Sequence, residues 1–181
     1  MNQFVWILDP IDGSKYYARG VPLYSISLAL AHRGRLLLGV VYIPNTDQMF
    51  RAAIGRGSTL NGHRVRCSSP QRLEDCAICL EIPSRHSPVE QWERAQVVMG
   101  KLVSHVQRVR ILGVASIGLC YCAMGGFDAY INIGESRKYC DTAAGRVILE
   151  GSGGVFIESE GGIIAGAPEI ARKIGDLLKI T

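Results

Sequence analysis

The sequence predicts a mixed α/β (α+β) fold in two unlike parts. An antiparallel β meander over residues 1–75 precedes a C-terminal α/β half over residues 76–181, the two forming one continuous unit. Three observations predict this. Apolar runs of strand length, separated by tight-turn residues, fill the first part. From residue 87 onward, apolar residues recur at helical spacing and alternate with short strand-like runs. The composition, 48% hydrophobic and 20% charged over 181 residues, suits one packed core and excludes a disordered chain.

Phe4 to Leu8 is a continuous apolar run bounded by Asp9-Pro10 and reads as a buried strand. Tyr24, Ile26, Leu28 and Leu30 alternate with Ser25, Ser27 and Ala29, the period of a strand with one buried face. His32-Arg33-Gly34-Arg35 is a turn, Leu36 to Ile43 a strand, and Pro44 to Asp47 another turn. Gln48 to Ala53 is a further strand. The Asn61-Gly62 pair marks a two-residue hairpin, since both residues tolerate positive φ. In the second half, Ser87-Pro88-Val89-Glu90 predicts a helix start with Ser87 as N-cap. Trp92, Ala95, Met99, Leu102 and Val106 follow at helical spacing. Val109 to Leu112 is a strand, Ser116 to Met124 a helix stopped by Gly125-Gly126, and Phe127 to Ile133 an alternating strand. Thr142 to Glu150 is a helix with Asp141 as N-cap and Gly151 at its end. Gly154 to Glu158 and Ile163 to Gly166 are strands, and Pro168 to Ile180 is a closing helix.

Charge and cysteine content narrow the function classes. The net charge of +4 and pI of about 8.8 are too mild to predict nucleic-acid binding. The pairs Arg33/Arg35, Arg64/Arg66 and Arg108/Arg110 have the period-two spacing of solvated strand faces. No apolar run approaches membrane-spanning length, and the N-terminal residues have neither the basic leader nor the long apolar run of a signal peptide, so a cytoplasmic protein is expected. The six cysteines then read as reduced thiols. Cys76-Ala77-Ile78-Cys79 has zinc or redox spacing and leaves that reading open.

Two segments carry chemistry. Asp9-Pro10-Ile11-Asp12-Gly13-Ser14 follows a strand directly. Pro10 biases Asp9 to an extended conformation, so Asp9 and Asp12 can converge on one cation with the Ile11 carbonyl as a third hard oxygen. Gly13 permits a phosphate to approach the backbone, and a helical turn opening at Ser14 would aim N–H groups at it. A plain turn uses the same residue types. In Cys140-Asp141-Thr142-Ala143-Ala144-Gly145 an aspartate opens a helix of small side chains, which permits close packing into a shared site; a simple N-cap is the competing reading.

Together the two segments resemble the signatures of the inositol monophosphatase superfamily of Mg²⁺-dependent, lithium-sensitive phosphatases. Its first signature, W-(V/I)-(V/I/L)-D-P-(I/L)-D-G-T, is matched by WILDPIDGS over residues 6–14; its second, W/T-D-x-A-A-G, by CDTAAG over residues 140–145. The likeness extends through GVPLYSISLAL, GVVYIP, LNG, RILGVASIGLCYCAMGGFDAY and SGGVFIE, in family order and over nearly the whole chain. It implies the layered sandwich of that family, N-terminally truncated. It also implies a phosphomonoesterase that hydrolyses inositol monophosphate or a related sugar phosphate by two-metal activation of water, with Mg²⁺ as cofactor and Mn²⁺ able to substitute.

Carried over by position, the resemblance implies metal ligation by Asp9, the Ile11 carbonyl, Asp12 and Asp141. Asp9, Asp12, Ser14 and Asp141 would be catalytic. Gly13, Ser14, Gly113, Val114, Ala115, Asn132 and Asp141 would hold substrate. Arg137 and Lys138 could meet a second phosphate, or form an exposed basic pair on a loop. Three departures stand out: Ser14 replaces Thr, Gly151-Ser152 replaces Glu-Ala, and the family's N-terminal helical layer with its G-E-E metal-binding pair does not precede the first signature. A fragment or a truncated homologue is therefore expected. The alternative function is that of a non-catalytic interaction protein. Without the helical layer, the sheet face bearing Tyr24, Ile26, Leu28 and Leu30 would be bare, which predicts a homodimer or higher homo-oligomer.

Overall fold

A computed structural model describes residues 3–134 and 138–179. Strands β1 (Phe4–Asp12), β2 (Ser25–His32), β3 (Arg35–Ile43), β4 (Gln48–Ala53), β5 (Gly57–Leu60) and β6 (His63–Arg64) form a six-stranded antiparallel sheet in sequence order. A single helical turn, α1 (Ser14–Tyr17), follows β1. The second sheet contains β7 (Ala77–Glu81), β8 (Arg108–Arg110), β9 (Ala129–Asn132), β10 (Val155–Ser159) and β11 (Gly162–Gly166), in the order β10-β11-β9-β7-β8. There β7 runs parallel to β8 and β9, whereas β11 is antiparallel to β9 and to β10.

Four longer helices complete the layers. The helices α3 (Ala115–Ala123) and α4 (Tyr139–Gly151) lie between the sheets, sharing one core cluster with side chains such as Val41, Phe50, Tyr130 and Ile163. Nearly every residue of α3 is buried, which follows from a sequence apolar on all sides. The helices α2 (Val89–Val103) and α5 (Pro168–Leu178) cover the other face of the five-stranded sheet, burying Ala95, Val98, Leu102, Ile170, Ala171, Ile174 and Leu178 at spacings of three and four.

The predicted elements are present, with shifted edges. The helix predicted from Ser87 begins at Val89; Ser87 instead donates its N–H to the Ser84 carbonyl in a preceding turn, so Pro88 takes the N-cap position. Asp141 is not an N-cap: α4 starts two residues earlier, with Lys138 at the cap, and Asp141 sits in the first turn. Tyr24 precedes β2 rather than joining it. Arg33 and Arg35 do not share a strand, because Arg33 occupies the β2–β3 turn at φ 50°. The end of the predicted closing helix at Ile180 lies outside the described residues, as does Arg137.

Cys76 and Cys79 join different core clusters, on opposite faces of the five-stranded sheet, and each thiol is pushed up to about 12, mainly by burial. They cannot hold one ion between them, so the zinc or redox reading of that pair falls. No helix among the described residues is long and apolar enough to cross a membrane.

The two faces of the six-stranded sheet differ. Ser25, Ser27, Ala29, Ala31, Gly39, Val41 and Phe50 turn inward and are buried. Gly39 lies so close to Ala144 of α4 that a β-carbon would collide with that residue's backbone. Outward stand Phe4, Trp6 and Leu8, 53–60% exposed, so the run expected as a buried strand is an edge strand with one open face. Ile26 and Met49 are also exposed, whereas Leu28 and Leu30, expected to be bare, are half-buried.

Candidate active site and metal centre

Asp9 to Asp12 form no turn but remain in β1, and only Gly13 and Ser14 leave it, for α1. The pairing of β1 with β2 shifts by one residue: Asp9 lies opposite Ser27, and Asp12 opposite Ser25. Residues three apart in a regular strand point to opposite faces. Here the extra residue, at Pro10-Ile11, brings Asp9 and Asp12 to the same inner face as Ser25 and Ser27. Proline suits the position, since a bulge on an edge strand needs no ladder donor there. The Ile11 N–H donates to Asp9 Oδ1 at 3.0 Å, fixing that carboxylate over the bulge.

Asp12 is buried and held from α3. The Ser116 N–H and Oγ–H both donate to Asp12 Oδ2, at 2.9 and 2.6 Å. Ser25 Oγ lies 2.6 Å from Ser116 Oγ and, with that hydroxyl's proton committed to Asp12, is the donor. Burial pushes the Asp12 carboxyl up to about 6; the Ser116 bonds oppose this, and the nearby Asp141 and Asp9 charges add to it. Asp141 is also raised, first by burial and further by its contact with Asp9, while the Cys140 thiol opposes the rise.

The second signature reaches the same place from α4. Ser27 Oγ donates to the Cys140 carbonyl at 3.3 Å, tying the start of α4 to the strand residue opposite Asp9. One ligand atom from each of Asp9, Cys140 and Asp141 lies within 4.8 Å of the others. Asp12 stands outside this trio, its Oδ2 occupied by Ser116. Two carboxylates this close repel one another, and a divalent cation would relieve that repulsion, so the donor set fits a metal.

A cleft of about 460 Å³ opens beside these groups, lined by Asp12, Gly13, Ser14, Gly113, Ala115, Asn132 and Asp141 among others. Gly13 adopts φ 92°, a left-handed conformation that suits glycine, and its carbonyl accepts the N–H groups of Tyr16 and Tyr17. Lys15 and Arg19 add positive charge to the lining. Val114 does not line the cleft, because it is fully buried in the core. A larger groove of about 690 Å³, lined by Arg33, Arg35, Tyr139 and Arg146, contains none of the signature carboxylates.

Glu81, not anticipated from the sequence, belongs to this cleft. It ends β7 beside Asn132, its register partner on parallel strand β9, so both lie at carboxyl ends of parallel strands, where open α/β sheets bind ligands. Its Oε1 accepts the Gly113 N–H at 3.0 Å and so positions the loop entering α3. Burial pushes its carboxyl up to about 7, against the Gly113 bond and with the Asp12 charge adding. The available signal was an acidic residue closing the apolar run Ala77 to Leu80.

The chain matches the family model described as the inositol monophosphatase family over residues 1–176. It is 31% identical over 177 residues to the Nus factor SuhB of Pasteurella multocida, covering 93% of this chain and 65% of that protein. It is 33% identical over 158 residues to the Nus factor SuhB of Pseudomonas aeruginosa, covering 87% and 58%. The chain thus spans less than two thirds of the length of these two relatives. The extragenic suppressor protein SuhB of Bartonella henselae superimposes with a TM-score of 0.91 at 32% identity, covering 98% of this chain and 70% of that one. An inositol monophosphatase of Thermotoga maritima gives 0.87 at 27% identity, covering 99% and 70%.

Proposed function

The chain belongs to the inositol monophosphatase family, and from that premise we propose that it is a Mg²⁺-dependent phosphomonoesterase acting on inositol monophosphate or a related sugar phosphate in the cytoplasm. The observation that carries the reading is the convergence of Asp9 and Asp141 from two distant signatures on one point beside a cleft. Asp9, Asp12, Asp141 and the Ile11 carbonyl would hold Mg²⁺, or Mn²⁺ in its place, as hard oxygen donors. When bound, such a cation supplies Lewis-acid stabilisation to the phosphoryl and leaving oxygens.

The chain's own residues do the rest. Gly13 and Ser14 receive the phosphate, with Lys15 and Arg19 supplying countercharge. Gly113, Ala115 and Asn132 flank the ring of the substrate, and Glu81 holds the Gly113 amide in place. Val114 contributes through packing from the core. Ser116 keeps Asp12 oriented on the inner face of the sheet.

The experiment is phosphate release from inositol 1-phosphate, fructose 1,6-bisphosphate and 3′-phosphoadenosine phosphate, with and without Mg²⁺. Release that needs Mg²⁺ and is lost in Asp9→Asn supports the reading. No release from any of the three, with Mg²⁺ present, favours the alternative, a non-catalytic interaction protein. The exposed outer face of the six-stranded sheet is the observation behind that second reading. On either reading this face pairs with a second copy, giving a homodimer or higher oligomer, because burying apolar surface is worth about 25 cal/mol per Å².

A further inference from the structure

Cys140 stands where the family signature carries Trp or Thr. We propose that its thiol is a metal ligand in its own right, so that the site accepts a borderline, sulfur-seeking divalent ion such as Zn²⁺ or Co²⁺ through one sulfur and two carboxylate oxygens. The inference rests on the reading of Asp9 and Asp141 as metal ligands.

Three features place the sulfur. Its backbone is anchored by the Ser27 hydroxyl, and Ser27 is the cross-strand partner of Asp9, so Cys140 and Asp9 are held against one another through β2. The thiol donates to Asp141 Oδ1 at 3.2 Å, which holds the sulfur beside that carboxylate and within 4.8 Å of the Asp9 oxygen. Cys140 is also only half-buried, unlike Cys76, Cys79, Cys120 and Cys122, so an ion can reach it from solvent. Tetrahedral zinc, with Zn–S of about 2.3 Å and Zn–O of about 2.1 Å, sets neighbouring donors about 3.5 Å apart. The trio lies within 4.8 Å, so small side-chain rotations bring it to that spacing.

Thiolate ligands favour zinc over magnesium, whereas carboxylates and carbonyls suit magnesium. Binding replaces the S–H bond with a metal–sulfur bond and passes the thiol proton to solvent, leaving no change of oxidation state. Three protein donors leave a fourth position open, the arrangement of a reactive rather than a purely structural zinc site.

The test titrates the metal-free full chain with Co²⁺ and follows thiolate-to-metal charge-transfer absorption in the near ultraviolet, with Mn²⁺ binding measured separately by calorimetry. The wild type should develop the absorption and release protons as it does so; Cys140→Ser and Cys140→Thr should lose it. A wild type that binds Mn²⁺ but shows no charge-transfer band overturns the role of Cys140 and leaves the carboxylate site standing. A band that persists in both variants assigns the sulfur to another cysteine and also overturns it. Failure to bind either ion removes this inference and the metal site together.

Discussion

The two faces of the six-stranded sheet are made by the same strands in the same alternation, and they meet opposite fates. The inward-pointing positions that face the site and α4 are small or polar, Ser25, Ser27, Ala29, Ala31 and Gly39, while Val41 and Phe50 fill the core beyond them. They let α4 approach so closely that Ala144 lies against Gly39, and their hydroxyls reach across to Ser116 and Cys140. Outward-pointing positions are large and apolar, from Phe4, Trp6 and Leu8 to Ile26 and Met49, and no described element covers them. A face that presents a site sacrifices side-chain bulk for close approach and directed hydrogen bonds. The opposite face keeps the bulk and, among the described residues, stands exposed.

Four experiments test that contrast, the largest expected effect first. Gly39→Leu should break the inner face, because the neighbour it meets is helix backbone that cannot rotate aside. A loss of about 3 kcal/mol in denaturant unfolding is expected. A variant as stable as the wild type would show that α4 is not held at close range.

Ser116→Ala removes the hydroxyl's bond to the buried Asp12 oxygen and leaves Ser25 without its acceptor. The main-chain N–H survives, so the cost should be about 2 kcal/mol. The Asp12 carboxyl should move further upward in an NMR titration, since the lost hydroxyl was lowering it. An unmoved titration would detach Asp12 from α3.

Glu81→Gln addresses the pH dependence. In the folded chain the Glu81 carboxyl is held up to about 7, whereas a free glutamate titrates at about 4.3. Between those values the unfolded chain has released a proton that the folded chain keeps. Glu81's contribution to stability is therefore whole below the lower value and is lost as the pH rises through the upper one. The variant should flatten the decline in unfolding midpoint across that window. Asp12, raised to about 6, has the same sign and keeps part of the slope. An unchanged slope would mean that Glu81 is not the titrating group.

On the outer face, Trp6→Ser combined with Leu8→Ser should change the stability of the monomer by only about 0.5 kcal/mol, because both side chains are already exposed. The same double variant should abolish self-association in light scattering and remove the concentration dependence of the wild-type Tm. A wild type that is monomeric at micromolar concentration and binds no hydrophobic dye would sink the pairing through this face.

Much of this molecule was legible in its residues alone. Period-two runs fixed the meander, and helical spacing found α2, α3, α4 and α5 with edges off by one to three residues. Those errors have a common cause: a cap depends on where the first helical turn closes. Ser87 is not the cap because it closes a separate turn with Ser84 and α2 starts after Pro88, and Asp141 is not because α4 extends to Tyr139. The signatures, read with the family resemblance, marked Asp9, Asp12 and Asp141.

The tertiary structure decided what those groups face. The bulge at Pro10-Ile11 turned two aspartates three residues apart onto one side, an outcome set by pairing with β2 rather than by β1 itself. It drew Asp12 to Ser116 and left Asp9 with Cys140 and Asp141. It brought in Glu81, whose role depends on a parallel neighbour remote in sequence, and it sent Val114 into the core. Local periodicity is written along the chain, so it can be read there. Which donor meets which acceptor depends on strand register and on the packing of distant elements, and that is settled only when the sheets and helices close on one another.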